Sequence, residues 1–168
     1  MKRVFLTTAV MLLVMIAVAV HPALANSSIN SSFVAVRSST ARFHNLQAAQ
    51  SAGYHLVPGL DYCFDDPGVG GMGYHYINVS LMDTVVDASK PEAMVYAPDQ
   101  YGVLHLAAVE YIVPAAAWDA VNSSPPSLYG RSYELNNALG VYTLHAWIWK
   151  PNSLGMFSDW NPKVSCGS

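Results

Sequence analysis

Between residues 92 and 113 the chain reads as two apolar runs, EAMVYA and VLHLAAVEYIV, separated by Pro98-Asp99-Gln100-Tyr101-Gly102. Such runs, rich in Val, Tyr and Ile and divided by turn formers, predict a β-hairpin with strands at 92–97 and 103–113. Pro114 ends the second strand, and 115–121, with Trp118, reads as a short helix. Residues 74–79 and 142–149 are predicted as further strands, 54–57 as a short one and 81–83 as a helical turn. From Ser39 or Thr40 as cap to Ala52 the apolar period becomes helical: Phe43, Leu46 and Gln50 share a stripe, the alanines allow close packing, and Gly53 provides the stop.

Two loops frame these elements. Residues 58–73 are crowded with Pro, Gly and Asp and contain Cys63. The segment GVGGMG inside it lacks the spacing, the Lys and the following helix of a phosphate cradle, so its glycines read as points where backbone approaches backbone. The second loop follows the last strand, runs for about twenty residues and ends at Cys166. A Ser/Pro loop spans 122–126, and no internal repeat or linker occurs. The pattern predicts a single α+β domain at 39–168: a small antiparallel sheet, flat or curved toward a barrel, with one main helix packed on it.

Compartment follows from the N-terminus. Lys2 and Arg3 precede an apolar run that closes on Ala23-Leu24-Ala25, the form of a cleaved signal peptide at 1–25, with an uncleaved anchor as the alternative. Residues 26–38 read as a mobile, Ser- and Asn-rich leader. Removing Lys2 and Arg3 leaves six basic residues against eleven acidic, a formal charge of −5. Nucleic acid is therefore excluded as a natural partner, and so is a membrane surface after cleavage. In an oxidising compartment Cys63 and Cys166 are expected to pair, with two metal-ligating thiols as the alternative that no CxxC spacing supports. N-x-S sequons at Asn26, Asn30, Asn78 and Asn122 read as the chance product of a Ser-rich chain, with glycosylation in a eukaryotic secreted protein as the alternative.

Strand parity supplies the candidate chemistry, because alternate side chains share a face and a polar group in an apolar row needs a partner. Glu110 falls in a row with Leu104, Leu106, Ala108 and Ile112; His145 falls with Val141, Thr143, Trp147 and Trp149; His75 falls with Ile77 and Val79. If their strands are neighbours, His75, Glu110 and His145 converge, with His44 of the first helix as an outer member. Two imidazoles and a carboxylate suit a divalent transition metal and leave positions open for water or substrate. The competing reading is a closed structural cluster in which Glu110 pairs with Arg42, Arg131 or a histidine. Acid/base catalysis without a metal is a further reading. No HExxH, HxH or GxSxG pattern supports a standard hydrolase.

Ten tyrosines and four tryptophans invite an alternative, a binding module for a saccharide or an aromatic compound, with Trp147, Trp149, Trp160, Tyr74 and Tyr76 as a stacking platform. Against it, aromatics in a small sheet usually pack as core and cross-strand pairs.

Five blocks in fixed order, ARFHNLQAAQSAGY at 41–54, GGMGYHYIN at 70–78, PEAMVYAPD at 91–99, AVEYIVP at 108–114 and LHAWIWKPNSLGMFSDWNPKVSC at 144–166, cover most of the expected mature chain. In these blocks the chain resembles a family of secreted bacterial proteins of uncharacterised function. The resemblance implies an extracytoplasmic location and carries over no reaction and no residue roles. The expectation is a secreted domain that binds a metal ion or a small ligand through His75, Glu110 and His145, with a metal-dependent enzyme as the alternative.

Overall fold

The computed structural model describes residues 22–167, and their side chains from Ile29 onward. Eight strands occur among them: β1 (Phe64–Asp66), β2 (Gly70–Ile77), β3 (Ala93–Pro98), β4 (Leu104–Pro114), β5 (Ser127–Leu128), β6 (Arg131–Ser132), β7 (Glu134–Asn136) and β8 (Val141–Ala146). Six form one antiparallel sheet in the order β1-β2-β3-β4-β8-β7, while β5 and β6 make a separate ribbon. The sheet curls into a half-barrel with helices on one face, so the predicted α+β architecture is the observed one. The predicted hairpin is β3 and β4, and the strands expected at 74–79 and 142–149 are β2 and β8. Residues 54–57 form no strand; only His55 bridges to Ile77, through bonds of 3.0 and 2.7 Å.

The helical layer departs from the sequence reading. Helix α1 (Pro22–Thr40) occupies the segment expected to be a leader, and a 3-10 turn (Ala41–His44) separates it from α2 (Leu46–Ser51). Residues 1–21, most of the expected signal peptide, lie outside the described residues. Thr40 caps nothing: its hydroxyl donates 2.6 Å back to the Val36 carbonyl inside α1. The cap belongs to Asn45, whose side chain accepts from the N–H groups of Gln47 and Ala48. Gly53, at φ +95°, ends the helical stretch as expected, in a conformation that favours glycine. Asn78 then donates its side-chain amide 3.0 Å to the Ala52 carbonyl, so this sequon has a structural task. Helix α1 buries Val36 completely and stacks Phe33 on Tyr129 at 4.5 Å. A short helix, α3 (Ala115–Asp119), follows Pro114.

The helix-facing side of the sheet is the main core, built on Tyr76, Met94, Tyr96, Val109, Tyr111 and Leu144. Each such side chain contributes about 1.5 to 3 kcal/mol on burial. The phenol of Tyr96 donates to the Phe43 carbonyl at 2.7 Å and ties the sheet to the 3-10 turn. On the opposite face lie two smaller clusters, one of Val95, Ala97, Ala107, Ala108, Trp147 and Val164 and the other of Ile77, Ala93, Ile112 and Val141.

A bulge changes which β4 residues share a face. Val95 pairs with Ala108 but Tyr96 pairs with Leu106, so Ala107 is an extra residue in β4. Parity inverts there: Leu104 and Leu106 join the helix-side core, while Ala108, Glu110 and Ile112 stay on the other face. The predicted single row from Leu104 to Ile112 is thereby corrected. The Ala107 carbonyl instead accepts from the N–H groups of Trp149 and Lys150, at 3.0 and 2.9 Å, and turns the chain after β8. Trp149 consequently leaves the predicted row of His145 and packs against the helix-side core.

The C-terminal segment straps back across the domain. Cys63 and Cys166 form a disulfide over a sequence separation of 103 residues, as expected from composition and compartment. The Gly71 N–H donates to the Val164 carbonyl at 2.9 Å, and Asn161 N–H donates to the Gly71 carbonyl at 3.0 Å. A Cβ on Gly70 would run into the Asn161 backbone, and one on Gly71 would stand 2.8 Å from Val164 Cγ1. The glycine-rich run is therefore where backbone meets backbone.

Candidate functional site

Four strands bring the predicted residues together on the face away from the helices. Ile77, Ala93, Glu110 and His145 pair in one cross-strand row, and His75 lies two residues from Ile77 on the same face of β2. Ala93 is the register partner of both Ile77 and Glu110, and its single methyl leaves room above β3. His75 Nε2 approaches Glu110 Oε2 to 3.5 Å across that gap. The His75 and His145 rings stand 5.9 Å apart edge to face, and Trp147 and Phe64 close the group at 4.7 Å from His145 and 5.2 Å from His75.

Burial governs the electrostatics of this group. His75 is 5% exposed and His145 2%, while the Glu110 side chain keeps 15% of its surface in contact with solvent. Desolvation disfavours every charged form. It brings His75 down to about 4, partly opposed by the Gly73 carbonyl near the ring, which does not reach hydrogen-bonding geometry with Nδ1. His145 lies well below the usual histidine range, from burial first and His75 second. Glu110 is pushed up to about 8 by burial, with Asp159 and then Glu92 adding repulsion. Near neutral pH the group is thus two neutral imidazoles and a protonated carboxyl. Nδ1 of His75 and both ring nitrogens of His145 are buried without a hydrogen-bond partner among the described residues, an uncommon state for polar atoms in a folded protein.

His75 and Glu110 line one end of a cavity of about 330 Å³. Its walls are apolar: Val57 and Leu60 from the loop after α2, Phe64 of β1, and Ile77, Ile112 and Val141 of the sheet. Thr143, Asn136 and Asp159 complete the polar part, and among the described residues no Lys or Arg lines the cavity. Asp159, on the exposed rim, is raised above the usual carboxylate range by loss of solvent around its carboxyl and by Glu134. Sequence reasoning does not find Asp159, Thr143 or Asn136 as a group, because they come from a loop and two strands with no common spacing. It also passes over Glu92, which is 4% exposed, pushed up to about 7 by burial, and bound through Oε2 to the Ile112 N–H at 2.9 Å. Glu92 does not line the cavity.

The remaining candidates lie elsewhere. His44 is exposed among the helices with its ring 4.5 Å from Trp149, on the other side of the sheet from His75. Among the described residues no set of three or more His, Cys, Asp or Glu side chains is arranged to hold a metal ion. The five proposed stacking residues share no platform. Tyr76 is buried edge-on to Tyr96, Tyr74 packs against the helix-side core, and Trp149 donates its indole N–H to Thr40. Trp147 is buried on the opposite face with its N–H given to the Ser158 carbonyl at 2.6 Å, and Trp160 lies in the strap. Neither Arg42 nor Arg131 pairs with Glu110: they lie over the rings of Phe43 and Phe157.

Comparison with protein-family models, with curated proteins and with solved structures finds no match to this chain. What defines it is its own architecture, an antiparallel half-barrel with helices on one face and a His/Glu-ended cavity on the other.

Proposed function

We propose that this protein is a secreted small-molecule-binding domain whose ligand enters the cavity beside His75 and Glu110. The observation that carries the reading is the union, in one cavity of about 330 Å³, of largely apolar walls with a few polar groups, His75, Glu110, Asp159, Thr143 and Asn136. Ligand sites have this composition: apolar surface supplies affinity and a few convergent polar groups fix orientation. A metal-centred role has less support, because His44 is across the sheet and the other three residues do not meet as a ligand set.

A second reading, proton transfer to a bound substrate, is favoured by the 3.5 Å contact between a neutral imidazole and a protonated carboxyl whose affinities for protons are displaced in opposite directions. It requires the same cavity to bind first.

Calorimetry and NMR titration with compact probes such as cyclohexylmethanol test the binding reading. Saturable binding that shifts the Ile77, Ile112 and Val141 methyl signals is expected, and Met82→Trp, which fills the cavity from its half-buried loop, should weaken it. A probe panel that leaves those signals unmoved would sink the reading.

A further inference from the structure

We infer that the occupant of this cavity is an organic cation, a protonated amine joined to a compact apolar body, with its charged nitrogen held between Glu110 and Asp159. The inference rests on the small-molecule reading above and narrows it to one chemical class.

The polar end is acidic on every side that carries charge. Glu110 comes from β4, Asp159 from the strap, Glu134 of β7 stands near Asp159, and Glu92 acts on Glu110 from the start of β3. The groups facing Glu110 from β2 and β8, His75 and His145, are neutral rings. Among the described residues no Lys or Arg lines the cavity, so they bring no counter-ion to carboxylates set against apolar walls. A buried carboxylate without a cation is costly, and the protein meets that cost by keeping Glu110 protonated. A ligand ammonium supplies the missing charge.

The exchange balances simply. The ligand keeps its proton, the Glu110 carboxyl releases its own to solvent, and an ammonium–carboxylate pair forms with Asp159 as a second acceptor. Neutral His75, 3.5 Å from Glu110, stays available to hydrogen-bond the same headgroup. A cavity of about 330 Å³ lies at the small end of ligand-pocket sizes and suits a compact body. A neutral alcohol of the same shape gains the apolar contact and a hydrogen bond but no ion pair, and an anion gains no ion pair and is repelled by the Asp159 carboxylate.

Calorimetry with cyclohexylmethylamine, cyclohexylmethanol and cyclohexanecarboxylate, in buffers of different ionisation enthalpy, tests this. The amine should bind more tightly than the alcohol, and the carboxylate least. Amine affinity should rise about tenfold per pH unit from about pH 6 to about 8 and then level off, with close to one proton released per ligand at the acid end. Glu110→Gln, its fold checked by circular dichroism, should abolish proton release and bring the amine's affinity to that of the alcohol. If that variant does not fold, Asp159→Asn, at an exposed position, should reduce the amine's advantage severalfold. Equal binding of amine and alcohol, or amine affinity flat across that pH range, overturns the cation inference and leaves the small-molecule reading standing. Failure of both amine and alcohol to bind overturns the small-molecule reading, and this inference with it.

Discussion

His75 Nε2 stands 3.5 Å from Glu110 Oε2 although β3 runs between their strands. They meet diagonally across β3, between Ala93, the cross-strand partner of Glu110, which contributes only a methyl group to that face, and Val95, the partner of His75. Strand spacing alone keeps such side chains well apart; sheet curvature and a small intervening residue bring them together. The pair is buried, uncharged near neutrality and open to one cavity, and it shapes the protein's response to pH.

Stability should be greatest between about pH 4.5 and 6.5. Glu110 is raised from its ordinary 4.5 to about 8 and Glu92 to about 7, so what they contribute is whole below 4.5 and is lost as pH rises through those values. His75 is lowered from 6.5 to about 4 and His145 lies well below 6.5, so their contributions are present above 6.5 and lost as pH falls through those lowered values. Between 4.5 and 6.5 the two slopes oppose each other. Urea denaturation across a pH series should show this plateau, and Glu110→Gln should flatten the alkaline decline. An unchanged alkaline slope in that variant would contradict the assignment.

Reduction of the disulfide should cost about 2 to 5 kcal/mol, because Cys63–Cys166 closes a loop of 103 residues and removes much freedom from the unfolded chain. Hydrogen exchange should show the loss locally. The Gly71 amide, bonded to the strap at Val164, should lose protection before the amides of β3 and β4 do.

Gly71→Ala should destabilise by about 1 to 3 kcal/mol through overpacking, since the new Cβ would stand 2.8 Å from Val164 Cγ1. Val164→Ala in the same chain should recover part of that loss. A double-mutant cycle with no coupling between the two positions would show that they do not meet.

Asn45→Ala should cost about 0.5 to 2 kcal/mol, as it removes the acceptor for the first N–H groups of α2. Thr40→Val should instead act through the Val36 carbonyl and the Trp149 indole, which its hydroxyl contacts. Thermal denaturation of the two variants distinguishes a cap at Asn45 from one at Thr40: the Asn45 variant alone should reduce the helicity of residues 46–51, read by amide exchange.

Local rules explain much of what is legible here. Turn residues mark the hairpin of β3 and β4, and alternation places Glu110 with Ala108 and Ile112. The same alternation fails at Leu106, because the extra residue Ala107 exists only through pairing with β3 and through its bonds to Trp149 and Lys150. Helical periodicity places His44 on a helix but says nothing about which side of a sheet that helix covers. The leader is misread because its Ser and Asn content disfavours an isolated helix, whereas Val36 and Phe33 gain tertiary contacts that outweigh propensity.

The sequence by itself determined the long strands and the hairpin of β3 and β4, the pairing of the only two cysteines and the presence of unmatched polar groups in apolar strands, because these depend on neighbours within a few residues or on counting. Tertiary structure alone decided that His75, Glu110 and His145 converge, that Asp159 joins them from the strap, and that no Lys or Arg among the described residues does. Strand order, curvature and the bulge at Ala107 are set by contacts between residues far apart in the chain, and those contacts have no local signature.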